Sequence, residues 1–145
     1  MQLKTTEELN HEIKSATDIE DYLKGNPENL ITSTLSAHLN SLLSQKKFSK
    51  ADVVKDSNLY RTYVYQIFSG EKTPSRDILI AIAFGLHLSE EEAQTLLKVS
   101  KNRELYARDE RDAIILFAIQ RNMPIMKVNE LLFEHDLQPL AMSKE

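Results

Sequence analysis

Hydrophobic residues recur along the chain at intervals of three and four, which is the spacing of one buried face of an α-helix. The repeats include Leu35, Leu39, Leu42 and Leu43, then Val53 and Val54, then Val64, Ile67 and Phe68. Residues 76–86, "RDILIAIAFGL", are apolar on nearly every side, which predicts a central helix. No segment alternates apolar and polar residues between turn signals, as a half-buried strand would. The pattern therefore predicts an all-α protein.

Helix starts are marked by a Ser or Thr that can cap backbone N–H groups, with an acidic residue three positions later. The pairs are Thr5/Glu8, Thr17/Glu20, Ser49/Asp52 and Ser89/Glu92. Ser75 is a further candidate cap, directly before the central helix. Near the N-terminus, Ile19, Tyr22 and Leu23 form a short apolar face. These signals indicate a helical N-terminal segment followed by a longer series of helices.

The last third of the chain predicts two further helices. Residues 104–122 suit one long helix. Its expected core residues are Ile115, Phe117, Ala118 and Ile119. The segment "RDERD" at residues 108–112 is interpreted as an exposed helix face with alternating charge. Pro124 suits the first turn of the next helix, because proline fits at the first helical position.

Residues 49–70 contain two short helical patterns joined by a turn. Asn58 lies between them, and asparagine is one of the few non-glycine residues that tolerate a left-handed conformation. Val54 is expected where the two helices cross closely. Leu59, Val64 and Ile67 are expected to face the core. This arrangement predicts a helix-turn-helix motif.

The order of these segments resembles the five-helix repressor domain of the XRE family, the phage-repressor-like regulators. "LSAHLNSLLSQKKFSKADVV" is similar to the start of that domain, and "SGEKTPSRDILIAIAFGLHLS" to its end. Lys50, Asn58 and Phe68 differ from the residues common at their positions in the family. The resemblance divides the chain into a helical extension (1–34), a helix-turn-helix DNA-binding domain (35–100) and a second helical extension (101–145).

The distribution of charge agrees with a polyanionic partner for the middle of the chain. The whole chain carries a net charge of −4, but residues 31–76 alone carry +4. A local positive field within an acidic protein favours selective contact with a polyanion.

The resemblance implies that the helix at residues 59–69 reads the major groove of double-stranded DNA. Helical geometry and the family's positions, counted back from Gly70, agree on three base-contacting residues, Arg61, Thr62 and Gln66. Arginine can fork onto guanine, glutamine can pair with adenine, and the threonine methyl suits thymine. The expected DNA-backbone or flanking contacts are Lys50, Tyr63, Tyr65, Ser69 and Lys72.

Each of these assignments has an alternative. Arg61 could pair with Asp52 or Asp56 instead of with DNA. Tyr63 and Tyr65 suit a protein surface as well as a phosphate. Tyr60 is expected in the core or on its flank, because it falls on the Val64 side of the helix.

No pattern in the sequence predicts catalysis, a metal site or a cofactor. The chain has no cysteine, its four histidines are scattered, and its three glycines are isolated. Its longest apolar run is too short to span a bilayer, and its first residues lack the pattern of a signal peptide. We therefore expect a cytoplasmic protein that is not an enzyme.

The leading prediction is a sequence-specific transcription regulator that acts as a homodimer, with its dimer contacts in the flanking segments. One alternative is a protein-interaction adaptor on a helix-turn-helix scaffold that no longer reads DNA. Another is an antitoxin-like regulator that binds both DNA and a protein partner. A continuous positive face would favour DNA binding, whereas a face interrupted by acidic residues would favour the adaptor.

Overall fold

The computed structural model describes residues 4–26 and 34–140 of the chain. Within these ranges it contains nine α-helices and no strand, which confirms the all-α prediction. The helices are α1 (Thr6–Ser15), α2 (Ile19–Gly25), α3 (Leu35–Lys46), α4 (Lys50–Ser57), α5 (Arg61–Ser69), α6 (Arg76–Gly85), α7 (Glu90–Val99), α8 (Glu110–Gln120) and α9 (Ile125–Glu134). The chain divides into two compact units, residues 1–32 and 33–145.

The first unit contains α1 and α2. Thr5 and Glu8 form the predicted capping box at the start of α1. The predicted cap at Thr17 is wrong, because α2 is capped by the side chain of Asp18, which accepts a hydrogen bond from the Glu20 N–H. Of the expected apolar face of α2, only Tyr22 is buried.

Helix α6 is the centre of the second unit, as its composition predicts. Every residue from Leu79 to Gly85 is buried. Helix α4 packs closely against α6, and a Cβ at Gly85 would lie 3.0 Å from both the Val53 carbonyl oxygen and the Ser57 Cβ. The close approach of α4 to α6 therefore involves Val53 and Ser57, which are fully buried. Val54, expected at the crossing of the two motif helices, is half-buried, and its place at that crossing stays a prediction.

Local capping signals placed most helix starts of the second unit correctly. Ser49 and Ser89 both form their predicted capping boxes, and the Ser75 hydroxyl accepts a hydrogen bond from the Ile78 N–H. Pro124 is the exception, because it precedes α9 as the N-cap instead of lying within the first turn.

The long helix predicted for residues 104–122 begins six residues later than expected, at Glu110. The backbone of Leu105 is held outside the helix by the side-chain amide of Gln94, through hydrogen bonds of 2.7 and 2.9 Å. The Tyr106 N–H donates to the carboxylate of Asp112 over 3.0 Å. The Leu105 contacts reach back 11 residues and the Tyr106 contact reaches forward six. They take the place of the backbone hydrogen bonds that these residues would make in a longer helix.

The interpretation of residues 108–112 as an exposed charged face is correct in exposure for residues 108–110 but wrong for Arg111 and Asp112. Asp112 is 1% exposed and accepts two hydrogen bonds from Arg76, while Arg111 pairs with Asp77. Phe117, expected in the core, is 45% exposed. The buried face of α8 consists of Asp112, Ile115, Leu116, Ala118 and Ile119. The four apolar residues of this face join one hydrophobic core with α3–α7 and α9.

Candidate nucleic-acid interface

Helices α4 and α5 are joined by a tight turn at Asn58, Leu59 and Tyr60. Asn58 has φ 62° and ψ 30°, which confirms the predicted left-handed conformation. Leu59 is buried beneath the turn, and Val64, Ile67 and Phe68 bury the inner face of α5. The two helices are thus held together by an apolar layer, and the opposite face of α5 is left exposed.

Tyr60 does not lie in the core or on its flank, as the helical pattern suggested. It is the N-cap residue of α5, with an extended backbone, and its side chain is 47% exposed. Because the residue precedes the helix, the periodicity of α5 does not determine which way its side chain points.

Three predicted site residues meet at the beginning of this pair of helices. The ammonium nitrogen of Lys50 lies 5.3 Å from the centroid of the Tyr65 ring. The guanidinium carbon of Arg61 lies 5.8 Å from the same centroid, and Arg61 Nη1 donates to Tyr65 Oη over 3.4 Å. We call Lys50, Arg61 and Tyr65 the Tyr65 cluster. The aromatic ring attracts both cations and holds them on one surface, where Arg61 and Tyr65 are exposed and Lys50 is half-buried.

The acidic residues considered as alternative partners of Arg61 are bound elsewhere. The carboxylate of Asp52 accepts a hydrogen bond from the Ser49 N–H over 2.8 Å, within the capping box of α4. This backbone hydrogen bond, together with the Ser49 hydroxyl, holds the pKa of Asp52 below its ordinary value. Asp56 is paired with His87 over 2.9 Å. Arg61 is therefore not paired with either of these carboxylates.

The remaining predicted contacts on α5 differ in their exposure. Thr62 is exposed and Gln66 is half-buried. Tyr63 is half-buried and packs against the hydrophobic core. The Ser69 hydroxyl donates to the Gln66 carbonyl over 3.0 Å and also contacts the Glu71 carboxylate over 3.2 Å. Of these four residues, only Thr62 and Ser69 are exposed, and the Ser69 hydroxyl is already hydrogen-bonded within the chain.

Lys72 lies beyond the opposite end of α5 from the Tyr65 cluster. Helix α5 ends at Gly70, which has φ 90°, and exposed Glu71 and Lys72 follow it. Lys72 lines a surface groove of about 490 Å³ together with Lys101 and the first residues of α3. Lys101 had no signal in the sequence, because it lies outside the motif and enters the groove only through packing of the end of α7. The predicted cations are thus divided, with Lys50 and Arg61 near the start of α5 and Lys72 beyond its end.

The described parts of the chain contain no cluster of three or more side chains suited to hold a metal ion. None of the helices in those ranges has the length and apolar character needed to cross a bilayer. No protein-family model, curated protein or solved structure matches the chain significantly.

Proposed function

We propose that this chain is a sequence-specific DNA-binding transcription regulator of the XRE type, with α5 as its recognition helix. The observation that carries the proposal is the Tyr65 cluster, in which half-buried Lys50 and exposed Arg61, at the starts of α4 and α5, lie over the same ring. In helix-turn-helix proteins the N-terminal half of the recognition helix meets the base edges. The cluster lies at that end of α5.

The order of α3–α7 supports a five-helix, repressor-like domain. A left-handed Asn58 joins the proposed motif helices, Gly70 ends the recognition helix, and α6 forms the centre of the core. Each of these features corresponds to one of the segments on which the resemblance to the XRE family rests.

In the proposed complex, Arg61 donates two hydrogen bonds to guanine O6 and N7, and Gln66 pairs with adenine. The methyl group of exposed Thr62 packs against a thymine methyl group. Lys50 neutralises a phosphate, and Lys72 contacts the backbone beyond the other end of α5. Tyr65 orients Lys50 and Arg61 before DNA arrives, which reduces the conformational entropy lost on binding.

The proposed regulator acts in the cytoplasm as a homodimer. One recognition helix covers only a few base pairs, so useful affinity needs two half-sites about 34 Å apart. Exposed Phe117, Met126 and Phe133 on α8 and α9 provide apolar surface for contact between two copies.

A protein-interaction adaptor remains the second candidate function, and a specific observation favours it. Exposed Tyr60, Tyr65 and Arg61 are residue types that anchor protein interfaces, and Glu71 lies between α5 and Lys72. On this alternative the Tyr65 cluster would bind an acidic protein surface in place of DNA.

The experiment begins by selecting bound fragments from a random DNA pool, followed by salt titrations on the selected and scrambled duplexes. Arg61→Ala should weaken binding to the selected duplex by about 1–3 kcal/mol and relax the choice of base at one position. Lys50→Ala should weaken binding to both duplexes equally and reduce the salt slope by about one per half-site. Lys127→Ala, which removes an exposed cation on α9, is the matched control and should leave both titrations unchanged.

The outcomes separate the two functions. If the native protein binds no duplex even at low salt, the DNA proposal fails and the adaptor is favoured. If it binds but Arg61→Ala loses both duplexes equally, Arg61 contacts the backbone and the assignment of the base-contacting face is wrong.

A further inference from the structure

His87 and Asn122 occupy equivalent positions just beyond the ends of two helices. His87 follows α6 and has φ 54°, and Asn122 follows α8 and has φ 50°. Each N–H donates to a carbonyl three residues earlier, at 3.1 Å in both cases. Glycine is the usual residue here because a side chain strains the left-handed conformation, although asparagine tolerates it. Lys101 and Asp136 occupy the same kind of position after α7 and α9, so His87 is distinguished by the contacts of its side chain and not by its backbone.

The imidazole of His87 connects three parts of the second unit. Its Nδ1 lies 3.1 Å from Asn122 Oδ1, in the turn between α8 and α9. Its Nε2 lies 2.9 Å from Asp56 Oδ2, near the end of α4. The ring of Phe48 packs against it at a tilt, with the centroids 5.6 Å apart.

The hydrogen-bond partners of His87, as they are oriented, favour a charged ring. Both neighbouring atoms are oxygens that accept hydrogen bonds, so the two ring nitrogens can satisfy them together only when each carries a proton. The partial negative charge at the C-terminal ends of α6 and α8 also favours a cation here. The hydrogen bond to Asp56, reinforced by Asn122, raises the pKa of His87 against burial and the nearby charge of Lys46. Lys46 itself is paired with Glu92 over 2.8 Å.

We propose that protonated His87 is a pH-sensitive clasp that holds the α8–α9 turn against α4. Loss of the proton leaves one of the two oxygens without a donor, so the turn is released more easily. Because the folded state raises the pKa of His87, the clasp is complete below the ordinary pKa of 6.5 and is lost as the pH rises through the raised value. Helix α4 also carries Lys50, so the clasp connects the last two helices to the proposed DNA-binding surface.

The first test is an NMR titration of the histidine side chains in the full chain. His87 should titrate above the ordinary value in the native protein. Asn122→Gly removes the carboxamide but keeps a residue suited to positive φ, so it should lower the titration midpoint of His87 without disturbing the turn. Asp136→Gly is the matched control, because Asp136 occupies the same position after α9 with φ 60° and should leave the midpoint unchanged.

The second test measures amide hydrogen exchange at Asn122 and Met123, expressed as protection relative to the unfolded chain. Protection in the native protein should fall as the pH rises from about 5.5 to about 8.5. The total fall should be about tenfold for each unit by which the pKa of His87 in the folded protein exceeds its pKa in the unfolded chain. His87→Gly keeps the turn geometry but removes the imidazole, so the fall in protection with rising pH should disappear.

Two results would overturn the clasp. One is a His87 titration midpoint that does not fall in Asn122→Gly: an unchanged midpoint would mean that Asn122 does not favour the charged ring, and a raised one that its amide group donates to a neutral ring. The other is a fall in protection with rising pH that persists in His87→Gly, which would assign the effect to another group.

Discussion

Arg76 at the start of α6 donates two hydrogen bonds, of 3.2 and 2.9 Å, to the carboxylate of Asp112 on α8. The neighbours of these residues form a second double contact, in which Arg111 donates to Asp77 over 2.9 Å twice. The charges are reversed between the two pairs, so each helix contributes one cation and one anion. This double pairing links the start of α8 to the start of α6.

Asp112→Ala should strongly destabilise the second unit. The change leaves the Arg76 guanidinium, which is 16% exposed, without its carboxylate and the Tyr106 N–H without an acceptor. Breaking a buried ion pair in this way costs about 3–5 kcal/mol of unfolding free energy. Urea denaturation measures the loss. Arg103→Ala is the control, because Arg103 is 69% exposed and lies 3.9 Å from the same carboxylate, so it should cost well under about 1 kcal/mol. Equal losses of unfolding free energy in the two variants would contradict the assignment of Arg76 and Asp112 as a buried ion pair.

Gly85→Ala should destabilise the contact between α4 and α6. The new Cβ would lie 3.0 Å from the Val53 carbonyl oxygen, and backbone must move to accommodate it. We expect a loss of about 1–3 kcal/mol in the unfolding free energy, the usual cost of overpacking a core. Gly25→Ala, whose Cβ would meet nothing within 4 Å, should instead be neutral or slightly stabilising. Thermal unfolding of both variants provides the comparison, and a stable Gly85→Ala protein would contradict the close packing.

Tyr65 should affect DNA binding mainly through its ring. Tyr65→Phe removes the 3.4 Å contact to Arg61 but keeps the aromatic surface beneath both cations, so affinity should fall only slightly. Tyr65→Leu removes the aromatic surface and should weaken binding by about 0.5–1 kcal/mol, the range of an exposed cation–π contact. Fluorescence anisotropy with the selected duplex measures the DNA affinity of both variants. If the two variants lose equal affinity, the hydroxyl group is the important feature and the proposed role of the ring is wrong.

The titration of His38 should change the stability with pH in the opposite direction to the titration of His87. Burial lowers the pKa of His38, and its Nε2 has no hydrogen-bond partner among the described residues. Since folding disfavours the charged ring, stability should decrease as the pH falls below the ordinary value of 6.5, towards the lowered pKa. His38→Gln should reduce this loss of stability between about pH 7 and pH 5 in urea titrations. A pH dependence unchanged by the substitution would contradict the prediction.

The oligomeric state can be tested without truncation. Deleting the residues after Ser100 would remove Ile115, Val128 and Leu132 from the core, so a shortened chain would not isolate the dimer contacts. Phe133→Ser changes a side chain that is 75% exposed and should shift a dimer towards monomer in light scattering at micromolar concentration, because apolar interface anchors contribute about 2 kcal/mol. Tyr106→Ser, also at an exposed aromatic residue, should leave the molecular mass measured by light scattering unchanged. A dimer insensitive to Phe133→Ser would place its interface elsewhere.

The sequence by itself determined the features that depend on neighbouring residues. The capping boxes at Ser49 and Ser89, the left-handed turn at Asn58 and the buried positions Val64 and Ile67 all follow from it. Each depends on hydrogen bonds or helical periodicity spanning a few positions, so a short window of sequence contains the whole signal.

Only the tertiary structure decided which polar residues meet across the fold. Asp112 finds Arg76 at a separation of 36 residues, and His87 finds Asp56 at 31. The late start of α8 likewise depends on Gln94, 11 residues before Leu105. Sequence spacing contains no signal for such pairs, because helix packing sets their distances. The same packing brings Lys50, Arg61 and Tyr65 onto one surface, although helical periodicity could relate only the last two.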